Sequence, residues 1–151
     1  MSQILYKDEV YALVGAAMDV YNELGSGFLE AVYQEALEIE MKLHGIPFKS
    51  QQELYIFYKG RKLKKTYTPD LLCYDKIVVD LKAIEHLTPV EYAKMKNYLK
   101  GTKFELGLLL NFGNAPQLET KRIILSRFRK SFIILCRFVK IRVDSRFQSS
   151  H

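Results

Sequence analysis

Apolar residues recur every three or four positions through the first part of the chain. Leu5, Val10, Leu13, Val14, Ala17, Met18, Tyr21 and Leu24 keep that spacing, and Asp8, Glu9, Asp19 and Glu23 fall largely between them. A stripe of this kind predicts an amphipathic helix over residues 4–24, ended by Gly25-Ser26-Gly27. Phe28, Val32, Ala36, Ile39 and Leu43 form a second stripe, so a second helix is expected over residues 28–43, with His44-Gly45 as its stop.

The pattern then shortens to that of strands. Residues 53–58 read as one, Lys59-Gly60 as its turn, and residues 61–67 as a return strand running into a central hairpin. From Thr66 to Ala83 the chain reads T-Y-T-P-D-L-L-C-Y-D-K-I-V-V-D-L-K-A. Its two β-branched and aromatic runs, residues 67–74 and 77–83, are parted by the polar pair Asp75-Lys76, which predicts a β-hairpin. Thr88-Pro89-Val90-Glu91 has the form of a capping box with proline at the first helical position, so a helix is expected over residues 89–100, closed by Gly101. Residues 105–112 are a continuous apolar run suited to a strand buried on both faces, hence central in its sheet. Residues 121–126 add another strand. Beyond it, Phe128, Phe132, Leu135, Val139 and Val143 fit a helical stripe, while Val139, Ile141 and Val143 equally fit strand alternation. The order is two N-terminal helices, mainly antiparallel strands, one crossover helix and two further strands. It predicts an α/β fold with a mixed β-sheet flanked by helices, since strands joined through a helix tend to lie parallel.

A chain of 151 residues, 48% of them hydrophobic, is large enough for one core and too small for two. One domain is expected over residues 1–126, with 127–151 as a basic C-terminal extension. The net charge of +6 resides in that extension: residues 1–126 hold 16 basic and 16 acidic residues, whereas 127–151 hold seven basic residues against Asp144 alone. A basic tail suits contact with a polyanion, and equally a solvated extension without a partner. No apolar run is long enough to cross a bilayer, and the first ten residues lack the features of a secretory signal, so a cytoplasmic chain is expected. Cys73 and Cys136 sit in apolar runs without metal-ligand spacing and read as buried, reduced thiols. The dispersed His44, His86 and His151 argue against a zinc site, and no glycine-rich nucleotide loop follows a strand.

Candidate chemistry lies in the hairpin. Side chains alternate along a strand, so Asp80 and Lys82 project together while Val79 and Leu81 point the other way. Asp70, after Pro69 on the partner strand, can approach the same spot. Clustered carboxylate oxygens are what hard divalent cations bind, and a neighbouring lysine can steady a phosphate or an attacking water, which suits a metal-dependent phosphodiester-cleaving centre.

Three motifs occur together. Gly27-Phe28-Leu29-Glu30-Ala31-Val32-Tyr33 matches GxxExxY, Pro69-Asp70 followed by Asp80-Leu81-Lys82 matches PD-(D/E)xK, and Gly107-Leu108-Leu109-Leu110-Asn111-Phe112-Gly113 looks like GLLINFG. In this order they resemble the GxxExxY proteins, a family placed in the PD-(D/E)xK nuclease superfamily, over residues 4–124. The resemblance implies a restriction-endonuclease-like core that binds Mg²⁺, with Mn²⁺ an alternative, and acts on nucleic acid, DNA before RNA. Carried over by position, Asp70 and Asp80 would be metal ligands, the backbone carbonyl of Leu81 a third, and Glu30 an additional helical carboxylate. Lys82 would orient or help deprotonate the attacking water. Lys94 and Tyr98, one turn apart on the crossover helix, and Tyr33 are candidate substrate contacts. The chain departs from the family pattern at Lys94, where a glutamine is usual, and at Glu91 and Tyr21, where histidines are usual.

Each of these residues has a plainer reading. Asp80 and Lys82 could form surface ion pairs on a solvent-facing strand, and Asp70 could be a turn residue. Glu30 could be a first-turn acid stabilised by the helix dipole, in a capping box if Gly27 is the cap. Tyr33 could be core packing with its hydroxyl satisfied. At the level of function, a metal-dependent nuclease stands beside a nuclease fold that holds nucleic acid or protein without cutting, and beside a structural partner protein.

Overall fold

The computed structural model describes residues 4–125. Helices α1 (Lys7–Leu24) and α2 (Glu30–Leu43) come first, followed by β1 (Phe48–Ser50), β2 (Leu54–Tyr58), β3 (Arg61–Tyr67), β4 (Leu71–Cys73) and β5 (Ile77–Lys82). Helix α3 (Pro89–Thr102) then leads to β6 (Leu106–Asn111) and β7 (Glu119–Ile124). Five strands form one sheet in the order β1-β4-β5-β6-β7, and β2 pairs with β3 alone as a separate ribbon. Strands β5 and β6, joined through α3, are parallel from Ile77↔Leu106 to Lys82↔Asn111, and the other pairs are antiparallel. The fold is thus the mixed α/β arrangement expected from the order of elements. Among the described residues no helix is long and apolar enough to cross a membrane.

Alternation along β5 and β6 sorts their side chains onto two faces. Ile77, Val79, Leu81, Leu106, Leu108 and Leu110 face α1 and α2, where Leu13, Ala17, Leu37 and Met41 complete an apolar cluster. Val78 and Leu109 face the other way, against Met95 and Leu99 of α3 and Leu54 and Tyr67 of the ribbon. Fully burying one such aliphatic side chain contributes roughly 1.5–3 kcal/mol, so both helical layers are held chiefly by apolar burial. Missing side chains bring α3 close: a Cβ on Gly107 would meet Met95 Sδ at 2.5 Å, and one on Gly101 would meet Ile56 Cγ2 at 2.9 Å. Strand β6 is buried at every position and lies inside the sheet, as its apolar run predicts. Cys73 is free and buried, and burial pushes its thiol up to about 12, which leaves it unreactive. Cys136 lies outside the described residues.

Helix α3 opens on the expected capping box, in which Thr88 Oγ1 accepts from Val90 N–H at 3.3 Å and Glu91 Oε2 from Thr88 N–H at 2.7 Å. It passes through Gly101 and stops where Lys103 turns left-handed. Elsewhere the boundaries move for identifiable reasons. Helix α2 starts at Glu30 because the Tyr33 hydroxyl donates to Gly25 O at 2.6 Å and accepts from Phe28 N–H at 3.1 Å, holding the preceding residues as a connection. Its N-cap is Leu29, so Gly27 and Glu30 form no capping box. The strand expected over 67–74 divides into the end of β3 and a short β4, because Pro69 has no N–H for a ladder. Consequently β3 does not join the main sheet. The hairpin turn centres on Tyr74 and Asp75, with φ of 54° and 56°, and Lys76 N–H closes it on Cys73 O at 3.1 Å. Strand β1 is a short edge strand, F-K-S, with no apolar alternation to announce it. The ambiguous tail and the basic extension lie outside the described residues.

Candidate functional site

The charged residues gather where β5 runs past the end of β4. Pairing between these strands stops at Leu71↔Val79, and beyond that point the Asp70 side chain replaces the missing backbone acceptor: its Oδ2 receives Leu81 N–H at 2.7 Å. Asp70 N–H donates in turn to Asp80 Oδ1 at 3.2 Å, and the Tyr67 hydroxyl donates to Asp80 Oδ2. The Asp70 carbonyl accepts from Gln51 N–H at 3.1 Å and from Gln34 Nε2 at 2.9 Å. The two aspartates are therefore fixed relative to each other by backbone bonds as well as by their own side chains.

A cavity of about 240 Å³ opens at this point. Asp80 and Lys82 reach it from β5, Tyr67 from the end of β3, Asp70 from the break that follows, Glu30 from the start of α2, and Glu91, Lys94 and Tyr98 from α3. The Tyr98 ring stacks on Tyr67 with centroids 3.6 Å apart and planes 3° from parallel, which holds the Tyr67 hydroxyl toward Asp80. Leu81 sends its side chain to the opposite face.

Burial pushes the Asp80 carboxyl above its ordinary range; the Tyr67 and Asp70 hydrogen bonds and the Lys82 charge pull it back, and the charge of Asp70 adds to the rise. Glu30 is also raised, by burial first and by repulsion from Asp70 and Asp80, against the pull of Lys82. The Tyr67 hydroxyl is raised by burial and by Asp80, so it stays protonated as a donor. Glu91 goes the other way, lowered by its hydrogen bonds to Thr88. Lys82 only partly offsets the burial and crowding of these carboxyl groups, and a hard cation with oxygen ligands is one means of supplying further positive charge.

Of the residues singled out in the sequence, Glu30, Asp70, Asp80, Lys82, Lys94 and Tyr98 line this one cavity. Tyr33 does not. It is fully buried, its ring stacks on Phe112 at 4.6 Å, and its hydroxyl is used within the molecule, so a substrate contact is replaced by core packing. Among the described residues, the one set of three His, Cys, Asp or Glu side chains with ligand atoms all within 4.8 Å of one another is Asp19, Glu40 and His44; Glu30, Asp70 and Asp80 do not together meet that spacing. His44 Nε2 sits 3.1 Å from both Asp19 Oδ2 and Glu40 Oε2.

Tyr67 and Gln34 escape the sequence reading, and Asn111 enters it only as a motif position at a strand end. Tyr67 stands three positions before Asp70, but the break at Pro69 that turns it onto Asp80 is tertiary. Gln34 lies one helical turn after Glu30 on α2, a spacing that could have drawn attention to it. Asn111 is opposite Lys82 in the parallel register. Fully buried, it accepts from Ile84 N–H at 3.0 Å and Gly113 N–H at 3.1 Å, and donates to Glu119 Oε1 at 2.9 Å. Glu119 Oε1 also accepts from Leu87 N–H at 2.8 Å. The Asn111-Phe112-Gly113 run thereby ties down the segment that leaves Lys82 toward α3. A side chain on Gly113 would collide with the backbone of Ala83 and Ile84.

No curated protein matches the chain. Among solved structures it is similar to the crystal structure of SSO0001, with 16% identity, a TM-score of 0.50, and coverage of 91% of this chain and 66% of that one. At that identity the likeness is one of fold, and the chain spans just under two thirds of that protein's length. Residues 7–123 match the sequence model of the PD-(D/E)XK nuclease superfamily. The matched stretch runs from the first residue of α1 into β7 and contains every residue that lines the cavity, and the chain belongs to the PD-(D/E)XK nuclease superfamily.

Proposed function

We propose that the chain is a divalent-metal-dependent nuclease of the GxxExxY type, hydrolysing phosphodiester bonds in DNA in the cytoplasm. Residues 1–126 would carry the chemistry and 127–151 would be a basic extension. The observation that carries this reading is the convergence of Asp70, from the break between β3 and β4, and Asp80, from β5, on one cavity that also holds Lys82. The donor set fits a hard cation: Asp70, Asp80 and the Leu81 carbonyl would hold Mg²⁺ or Mn²⁺, with Glu30 completing the oxygen ligands. When bound, such an ion offsets charge developing on the phosphate and makes hydroxide available near neutral pH. The protein's own part is to keep Asp80 ionised and aimed, through Tyr67 and the Asp70 amide. Lys82 would position the attacking water or take its proton, and Lys94, exposed at the cavity rim, would contact a phosphate oxygen.

The test is cleavage of DNA in Mg²⁺ by the full chain and by Asp70→Asn and Lys82→Ala variants that melt normally. Each is expected to lose at least about a hundredfold in rate, and undiminished cutting would reject the reading. A second reading, a nuclease fold that binds without cutting, is favoured by the spacing of the carboxylates of Glu30, Asp70 and Asp80, which do not all lie within 4.8 Å of one another. Retained nucleic-acid binding with no cleavage in either ion would select it.

A further inference from the structure

The 16 basic and 16 acidic residues of positions 1–126 cancel in sum but are segregated in space. Residues 7–43, which form α1, α2 and their connection, hold eight carboxylates against two lysines. Residues 54–69 and 92–104, covering the β2–β3 ribbon and most of α3, hold nine basic residues and no acidic one. The two groups pack on opposite faces of the five-stranded sheet, and the cavity draws Glu30 from one and Lys94 and Tyr98 from the other.

On the ribbon, Lys59, Arg61, Lys62, Lys64 and Lys65 are all exposed, and none forms an ion pair with a described residue. Lys94, Lys96, Lys100 and Lys103 are exposed on the adjoining helix and its cap. Ribbon and helix form one surface, joined by the Tyr67–Tyr98 stack, the Gly101–Ile56 approach and Lys103 Nζ over the Phe57 ring at 4.7 Å. The acids beside them are Glu53, which accepts from Thr66 Oγ1 at 2.7 Å at the base of the ribbon, and Glu91 in the first turn of α3. Like charges in such excess repel one another, and a polyanion relieves that repulsion.

We propose that this surface docks B-form duplex DNA, its basic side chains on the phosphates and the Lys59-Gly60 tip directed into the major groove. The proposal deepens the nuclease reading by naming the face that presents substrate to the cavity. A two-stranded antiparallel ribbon is of a size the major groove of B-DNA admits, whereas the deep, narrow groove of an RNA duplex excludes it. A single strand would require open aromatic faces for base stacking. Here Lys62 Nζ stands 3.2 Å over the Tyr55 ring and Lys59 Nζ 5.5 Å over Tyr58. From Tyr67 at the cavity to Arg61 near the tip, β3 spans roughly 20 Å at about 3.3 Å per residue. On its α2 side the cavity adjoins a depression of about 550 Å³, which shares Glu30 and Asp70 with it and adds Glu35 and Glu38; these carboxylates repel phosphate, so DNA approaches from the basic side.

The test uses the full chain carrying Asp70→Asn, in EDTA so that nothing is cut. It is titrated with a short DNA duplex, the matching single strand and an RNA duplex over a series of KCl concentrations. Adding Lys62→Glu, Lys64→Glu and Lys65→Glu should weaken duplex DNA binding at least tenfold. The slope of log affinity against log salt should fall by about 2–3, at about 0.9 per phosphate contact, with the circular-dichroism melt unchanged. Unaltered affinity and slope would overturn the proposal, as would single strands or RNA duplexes that bind as tightly as duplex DNA and are weakened equally. Such DNA binding without cleavage in Mg²⁺ or Mn²⁺ would reject the nuclease reading and leave this one standing. Undiminished cutting by the triple variant with Asp70 intact would do the reverse.

Discussion

The two faces of the central sheet are built differently. Toward α1 and α2, eighteen of the described residues form one buried cluster, and the tyrosine hydroxyls there are satisfied internally: that of Tyr33 has two partners, and that of Tyr21 donates to Asn114 O at 2.7 Å. Toward α3 and the ribbon the cluster has ten, and the same layer holds Asp80, Lys82 and the Tyr67 hydroxyl. Burial raises both Asp80 and Tyr67 there. One face supplies stability, and the other keeps partly desolvated charge beside a thin core. The site occupies the face where less apolar contact has to be given up.

Paired core substitutions test that division most directly. Leu37→Ala on the first face and Leu109→Ala on the second should each lower the unfolding free energy by about 3 kcal/mol, since both side chains are 1% exposed. In calorimetric titrations with Mg²⁺, Leu109→Ala alone should also weaken binding, because Leu109 is in the cavity wall. Equal loss of binding in both variants would break the contrast. Gly113→Ala should destabilise by about 2 kcal/mol, since the added methyl meets backbone rather than a mobile side chain. Cleavage should drop further than stability, because the displaced residues, Ala83 and Ile84, follow directly on Lys82.

The smallest effect is the most specific. With the Asp80 carboxyl raised, the folded chain holds that proton more tightly than the unfolded chain does. Stability therefore falls as pH rises from the unfolded value of about 3.9 through the raised folded value, and stays lowered at neutral pH. Mg²⁺ should raise the melting temperature at neutral pH and leave it unchanged in acid, where the carboxyl is protonated. Tyr67→Phe removes a bond that favours the ionised form, so the loss of Mg²⁺ binding on acidification should move to higher pH, at a cost of about 1 kcal/mol in affinity. An unmoved midpoint would show that Tyr67 does not control Asp80.

Much of this was legible in the chain because the signals were local. Thr88 and Glu91 announced α3, and period-2 alternation put Asp80 and Lys82 on one face of β5. What stayed hidden depends on long-range geometry. Pro69 ended a strand that composition alone would continue, and so turned Tyr67 onto Asp80. Tyr33 carries a motif position yet serves the core, because its hydroxyl finds Gly25 and Phe28 only once α2 is in place. The segregation of charge was invisible to a sum of zero, since it arises when the sheet puts α1 and α2 on one side and the ribbon and α3 on the other.

Because Asp70 Oδ2 takes up the next rung where β4 runs out, strand alignment and site assembly are a single event. The nine residues between Asp70 and Asp80 act as a ruler set by the hairpin. One residue inserted near Tyr74 would carry Asp70 a step away from the Leu81 amide. Such a chain would keep every letter of its motif and lose the centre the motif describes.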